Sequence, residues 1–257
     1  MMPNVATVVR DLIANGKFIF SSEDIRNMYN LSPVQTWRLL RRMLDSGIIV
    51  KLWRGFFMLS EDMIINVPIE AIIDSFFSGE HYYVGLSSAL VHWKATEKIL
   101  TTIFVLTPKR TFCGRTIKVR RWEVRFVFLN EKFFFGFIRR PIRGYMFNVS
   151  DREKTVLDCL LFVGTYVPFR DVISAIISLR PRISCQKLLE YSLRIRKKAL
   201  IQRLGFLLER IDTCTEILKE LREFVSSKYI YLDPTMDKVE FLRDENWRII
   251  VNIRGLK

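Results

Sequence analysis

Three arginines, Arg38, Arg41 and Arg42, fall within the stretch NLSPVQTWRLLRRMLDSG, residues 30–47. A guanidinium presents a rigid fork of donors that engages two acceptors at once, which suits guanine edges and phosphates. Whether these arginines form such a set depends on the element that carries them. Ser32, Pro33 and Gln35 supply an N-cap, a first-turn proline and a partner at the third position, so the spacing predicts a helix that ends at Gly47. Winding it at about 100° per residue gathers Thr36, Leu39, Leu40 and Met43 on one side, with Leu44 flanking. Arg38 and Arg41 then lie on the far side, with Arg42 and Gln35 at its edge. Charges opposite an apolar stripe are also what any solvated surface helix shows, so the neighbouring elements must decide.

Those neighbours are specific. Residues 5–14 repeat apolar side chains at a helical period and stop at Asn15-Gly16; KFIF reads as a short strand; Ser21-Ser22-Glu23-Asp24 starts a second short helix ending near Tyr29. After the third helix, IIVKL and FFMLS flank WRG, two apolar runs around a turn containing Gly55, which reads as a β-hairpin. Helix, strand, helix, helix, hairpin is the order of a winged helix-turn-helix, whose third helix enters the major groove. The candidate DNA contacts are therefore Gln35, Thr36, Arg38, Arg41 and Arg42 on the helix, with Lys51 and Arg54 of the hairpin toward phosphate or the minor groove. Trp53 either stacks on sugar or braces the hairpin, and bracing is the better reading.

Composition points to a partner that is nucleic acid, an anionic membrane or an acidic protein. The chain has 257 residues, a net charge of +14, a pI near 9.8 and 49% apolar residues, which describes a folded basic protein with room for a sizeable core. Cys113, Cys159, Cys185 and Cys214 are scattered without C-x-x-C spacing, and His81 and His92 are the only histidines, so neither a zinc site nor a disulfide framework is expected. No cofactor is expected either. Arg10 and Asp11 stand where a signal peptide needs its apolar run, and the longest apolar stretch, 159–169, is far short of the ~20 residues of a membrane span. A cytoplasmic protein with free, buried thiols is the expectation.

The densest basic cluster lies further on. Lys118, Arg120, Arg121, Arg125, Arg139 and Arg140 fall in strand-like segments, TIKVRRWEVRFVFL and the run after KFFFGFI, with few acids nearby. On alternating strands they form a second basic sheet surface, for nucleic acid or an acidic protein, or else only a solubilising face. From Ser150 the character turns helical, with a capping box at Ser150-Asp151-Arg152-Glu153 and helical segments at about 170–179, 184–194, 197–211 and 213–225. KYIYL and WRIIVNI in the tail alternate like a returning strand pair. The set Asp151, Glu153 and Lys154 superficially matches nuclease metal ligation, but helix-start chemistry accounts for it, and no Gly-rich phosphate loop, H-E-x-x-H or G-x-S-x-G is present. No catalytic residue and no metal ligand is assigned.

Taken in order, RGFFML, YYVGLSSALVHW, SDREKTVLDCL and RLGFLLE resemble the AbiEi-type antitoxins of type IV toxin-antitoxin and phage abortive-infection systems. The similarity covers about residues 5–215, with the family's Glu-Arg-Thr appearing as Glu153-Lys154-Thr155. The order of elements along the chain gives an α+β organisation: a winged helix-turn-helix at 1–62, a mixed α/β middle region at 63–149 and a mainly helical region at 150–257, the last two able to act as one antitoxin domain. The resemblance implies a non-enzymatic repressor that binds inverted repeats in its own promoter, two copies to a site, while the larger region neutralises a nucleotidyltransferase toxin encoded next door. The residues alone equally admit a stand-alone winged-helix transcription factor whose C-terminal region senses a partner or ligand.

Overall fold

The computed structural model describes residues 2–112 and 114–254. Asn4 caps the first helix, α1 (Val5–Ala14), its side chain accepting from the Thr7 N–H, and Gly16 at φ +62° turns the chain out of it. Then come β1 (Ile19–Ser21), α2 (Ser22–Tyr29), α3 (Pro33–Asp45), β2 (Ile49–Trp53) and β3 (Phe56–Leu59), the order expected of the first 60 residues. Both short helices start on reciprocal caps, Ser21 with Asp24 and Ser32 with Gln35. Asn30, left-handed at φ 49°, ends α2 and lets α3 begin three residues later. The strands pair antiparallel in the order β1-β3-β2, and Val8, Leu12, Ile25, Leu39, Leu40 and Met43 close over them as one core.

The chain continues through a 3₁₀ turn at Glu61–Ile64 into α4 (Ile69–Phe77), β4 (Tyr83–Val84), α5 (Leu86–His92), β5 (Thr102–Thr107), β6 (Thr116–Val119), β7 (Trp122–Phe128), β8 (Phe137–Ile142) and β9 (Tyr145–Ser150). These strands build a six-stranded sheet in the order β6-β7-β5-β4-β9-β8, parallel at β5/β7 and β4/β9 and antiparallel elsewhere. Two strand expectations change here. TIKVRRWEVRFVFL is a hairpin, turned at Arg120, which is left-handed at φ 52°. KFFFGFI is a 3₁₀ turn at Glu131–Phe133 and an irregular bend before β8 starts at Phe137. The bend is forced by Gly136, at φ +70° and so close to Lys154 and Tyr191 that a Cβ would meet them at 2.9 and 2.8 Å.

Five helices follow: α6 (Arg152–Leu161), α7 (Phe169–Leu179), α8 (Cys185–Ile195), α9 (Lys198–Ile211) and α10 (Leu218–Arg222), the last much shorter than 213–225. The cap of α6 is one residue later than expected. Asp151 accepts from the Lys154 N–H, while the Ser150 hydroxyl meets that of Thr155 at 2.7 Å. The tail forms β10 (Ile230–Tyr231), β11 (Leu242–Asp244) and β12 (Ile249–Val251), a third sheet ordered β10-β12-β11, where a strand pair was expected. The thiol expectation also needs correction: Cys185 and Cys214 form a disulfide across 29 residues, because α8 packs against the 3₁₀ turn at Thr215–Ile217 and brings their Cα atoms to 5.2 Å. Cys159 is free and fully buried. No helix among the described residues is long and apolar enough to cross a membrane.

Candidate nucleic-acid interface

The helical winding of α3 sorts its side chains cleanly. Thr36, Leu39, Leu40 and Met43 are buried, and Arg38, Arg41 and Arg42 are exposed on the opposite side. Arg41 is engaged by the helix itself, its Nε donating to both carboxylate oxygens of Asp45 one turn on, at 3.0 and 3.1 Å. Arg38 and Arg42, by contrast, have no ion-pair partner among the described residues, so their guanidinium forks are open to an incoming anion or base edge. Two of the candidates take part in the helix start, Thr36 buried there and Gln35 still exposed. Thr36 is 4% exposed and its hydroxyl donates to the Ser32 carbonyl at 3.0 Å. The Gln35 side chain accepts from the Ser32 N–H at 2.9 Å, which leaves only its amide donors free.

Two residues on this helix escaped the reading of charges. Val34 is 58% exposed and Trp37 63%, and the winding that exposes Arg38 and Arg41 sets Val34 beside them and Trp37 on the shoulder. The signal was present in the same helical wheel. Attention to charge alone passes over it.

Between α3 and the β2–β3 hairpin lies a cleft of about 780 Å³. Trp37 and Arg41 line one wall, Lys51 and Arg54 the other, and Arg26 of α2 closes an end. Lys51 and Arg54 are both exposed. The hairpin owes its position to aromatic packing rather than to its own turn: the Trp53 ring centre lies 5.3 Å from that of Phe56, 5.6 Å from Phe76 on α4 and 6.5 Å from Phe112. Trp53 thus braces the hairpin, and the Arg115 guanidinium covers its outer face at 5.3 Å.

The six cations further along do not form one surface. Lys118, Arg121 and Arg125 belong to the β6–β7 end of the sheet and Arg139 and Arg140 to the β8–β9 end, about 20 Å apart at the usual spacing between strands. Most are also engaged. Arg139 is held bidentately by Asp74 at 2.9 Å for both contacts, Arg125 pairs with Glu123 at 2.8 Å, and Arg121 and Arg140 lie over Trp122 and Trp93. Arg120 is not a surface cation at all. Its guanidinium grips the carbonyls of Ile64 and Val67, and its backbone N–H donates to Glu61 at 2.6 Å, fastening the β6–β7 turn to the segment after the hairpin. Lys118, exposed on β6 opposite Glu123, is the remaining outward cation of that face.

The quoted motifs meet in the interior. From SDREKTVLDCL, Lys154 and Asp158 pair at full burial, and Tyr83 of YYVGLSSALVHW closes the triangle, accepting from Lys154 Nζ at 3.0 Å and donating to Asp158 at 2.8 Å. Burial pushes the ammonium down and the carboxyl up from their ordinary ranges, each opposed by the other's charge; burial, then Asp158, pushes the Tyr83 phenol well up. Asp151 caps α6 and also takes the Tyr191 hydroxyl at 3.0 Å and Lys187 at 2.8 Å, while Glu153 accepts from the Ser184 N–H at 2.8 Å. Structural hydrogen bonding thus accounts for both carboxylates of the nuclease-like set. Among the described residues, one cluster has metal-ligand spacing, Cys185, Cys214 and Glu216, and its two sulfurs are bonded to each other.

RLGFLLE, on α9, is the platform for the tail. Arg203 donates to the carbonyls of Tyr231 and Leu232 at 2.9 Å each, and Glu209 accepts from the Trp247 indole N–H. Gln202, just before the motif, donates to the carbonyls of Lys228, Trp247 and Arg248 at 3.1 to 3.2 Å.

Residues 8–60, which contain α3 and the hairpin, match the family model AbiEi_4, described as a transcriptional regulator, AbiEi antitoxin. The match is confined to this N-terminal segment, which is similar to the regulators of that description. No curated protein matches the chain. Among solved structures it is similar to the RV2827C protein of Mycobacterium tuberculosis, at 13% identity and a TM-score of 0.60 over 97% of this chain and 92% of that one. At that identity the likeness shows a shared fold.

Proposed function

We propose that this protein is a DNA-binding transcriptional repressor and antitoxin of a type IV toxin-antitoxin system, acting in the cytoplasm on its own promoter. The observation that carries the DNA part is the outward side of α3: Arg38 and Arg42 are exposed and without an ion-pair partner among the described residues, and Arg41 on the same helix faces Lys51 and Arg54 of the hairpin across the cleft. A helix with free guanidinium forks beside a basic hairpin suits a winged helix-turn-helix, with α3 in the major groove and the hairpin, as the wing, on phosphate. Two copies on inverted repeats would match the symmetry of such a site. The antitoxin part is supported by the family match over residues 8–60 and by the motif order further along. In this reading the region after residue 62 neutralises a nucleotidyltransferase toxin, and the protein itself catalyses nothing.

The test is an anisotropy titration of the upstream duplex against a scrambled one at ~150 mM salt, where non-specific binding is typically 10⁻⁴ to 10⁻⁶ M. A preference of about a thousandfold or more supports a specific reader. Equal binding removes the repressor assignment. Co-expression with the adjacent gene's product separates the second half: rescue of growth supports neutralisation, and a neighbour that is not a nucleotidyltransferase leaves a stand-alone regulator.

A further inference from the structure

Val34 and Trp37 are an unusual expense on an exposed helix. Water-facing apolar surface costs about 25 cal/mol per Å² relative to burial, and an indole offers more of it than any other side chain. Both residues are more than half exposed while the inner side of α3 is fully packed by Thr36, Leu39, Leu40 and Met43. Neither is needed to hold the helix, which has its own reciprocal cap at Ser32 and Gln35. Arg38 stands one turn on from Val34, and Trp37 faces Lys51 and Arg54 across a cleft whose Glu23 is already paired with Arg26, so the charge left unmatched around the two is positive and suits a partner that carries negative charge.

We infer that Val34 and Trp37 form an apolar step that reads the C5-methyl groups of thymines in the major groove, beside bases or phosphates engaged by Arg38 and Arg42. This rests on the DNA-reading assignment above and adds the base that it reads. The methyl group is the one apolar feature of the major-groove edge, and it distinguishes thymine from the other three bases by contact rather than by hydrogen bond. The dimensions agree: from Val34 to Arg41 the helix rises about 10 Å, close to three base-pair steps, so the methyl contacts and the arginine contacts fall within one half-site. The anionic groove supplies the charge complement, and a thymine tract its apolar floor.

The decisive probe is the upstream duplex with thymine replaced by deoxyuracil, which removes the C5-methyl and leaves every hydrogen-bonding group in place. Wild-type protein should bind the uracil duplex about fourfold more weakly for each methyl contacted, the scale of one buried CH₂. The Val34→Ala/Trp37→Ala variant should bind both duplexes alike, at the weaker affinity, with an unchanged salt slope because no phosphate contact is lost. Since both side chains are exposed, the variant's melting temperature should match the wild type's, which keeps folding out of the comparison. An upstream preference that is indifferent to uracil, or a variant that still distinguishes the two duplexes, overturns this inference alone. An upstream duplex bound no better than a scrambled one overturns the DNA reading with it.

Discussion

The six-membered ring of Trp247 lies so close to Gly205 that a Cβ on the glycine would sit 2.0 Å from Cζ3. Glycine is therefore required in the middle of α9, where it otherwise costs helix stability, because the tail's one fully buried indole occupies its side-chain space. Gly205→Ala should push Trp247 out and cost about 1–3 kcal/mol, the usual range for overpacking a core. Hydrogen exchange would show the loss concentrated in residues 228–254; a uniform loss along the chain would count against the docking role of α9.

Lys154 and Asp158 make a second, sharper case. Replacing Lys154 by Met leaves a fully buried carboxyl without its cation and should cost about 3–5 kcal/mol. The double replacement Lys154→Met/Asp158→Leu should recover much of that, since it removes the charge along with its partner. Denaturant titration of the three proteins decides; a double variant as weak as the single would mean that the pair contributes more than mutual neutralisation.

His92 links stability to pH. Its imidazole packs against Trp93 and Phe147, at centroid distances of 4.8 and 5.3 Å, and burial, then the Arg140 charge, holds it below the ordinary value of 6.5. The unfolded chain therefore takes up this proton at a higher pH than the folded one. The stability is complete above about pH 6.5 and falls as pH drops through the folded value. His92→Phe should reduce the fall in melting temperature between pH 7.5 and 5.5, and equal losses in both proteins would assign the acid sensitivity to other groups.

Asp45 restrains Arg41 on an otherwise cationic face. Asp45→Ala should release the guanidinium and remove a charge that repels phosphate, raising DNA affinity by roughly two- to fivefold at low salt, the scale of an exposed pair. Arg38→Ala should act oppositely, losing about 1–3 kcal/mol on the upstream duplex and much less on a scrambled one if it reads a base. Parallel losses on both would make it a phosphate contact, with a salt slope smaller by about 0.9.

The legible parts of this fold are those with local causes. The burial of α3 follows from its period, and the starts of α2 and α3 from Ser21, Asp24, Ser32 and Gln35, all within a few residues of what they cap. What stayed hidden depends on distant pairing. Lys118 and Arg139 read as neighbours along one basic run, yet strand order sends them to opposite ends of a sheet. Lys154 reads as part of a helix start, and its burial comes from Tyr83, 71 residues away, closing over it. Cys185 and Cys214 carry no spacing signal because helix packing alone brings them together. Arg120 sits where Gly or Asn is usual in a tight turn, and its purpose, holding the carbonyls of Ile64 and Val67, lies in another segment.

That last grip, with the aromatic seat of the hairpin on Phe76 and Phe112, bears on how such proteins can be recombined. An N-terminal piece cut free after residue 62 would expose the faces of Trp53 and Phe56 and lose the clasp of Arg120 on the segment behind it. It would be adhesive, and the Trp53 end of its hairpin would lose its aromatic seat. On the proposed DNA reading, exchange of specificity between relatives is then easier by altering a few positions on the outer side of α3 than by swapping whole N-terminal pieces, because the joint is part of what aims the hairpin.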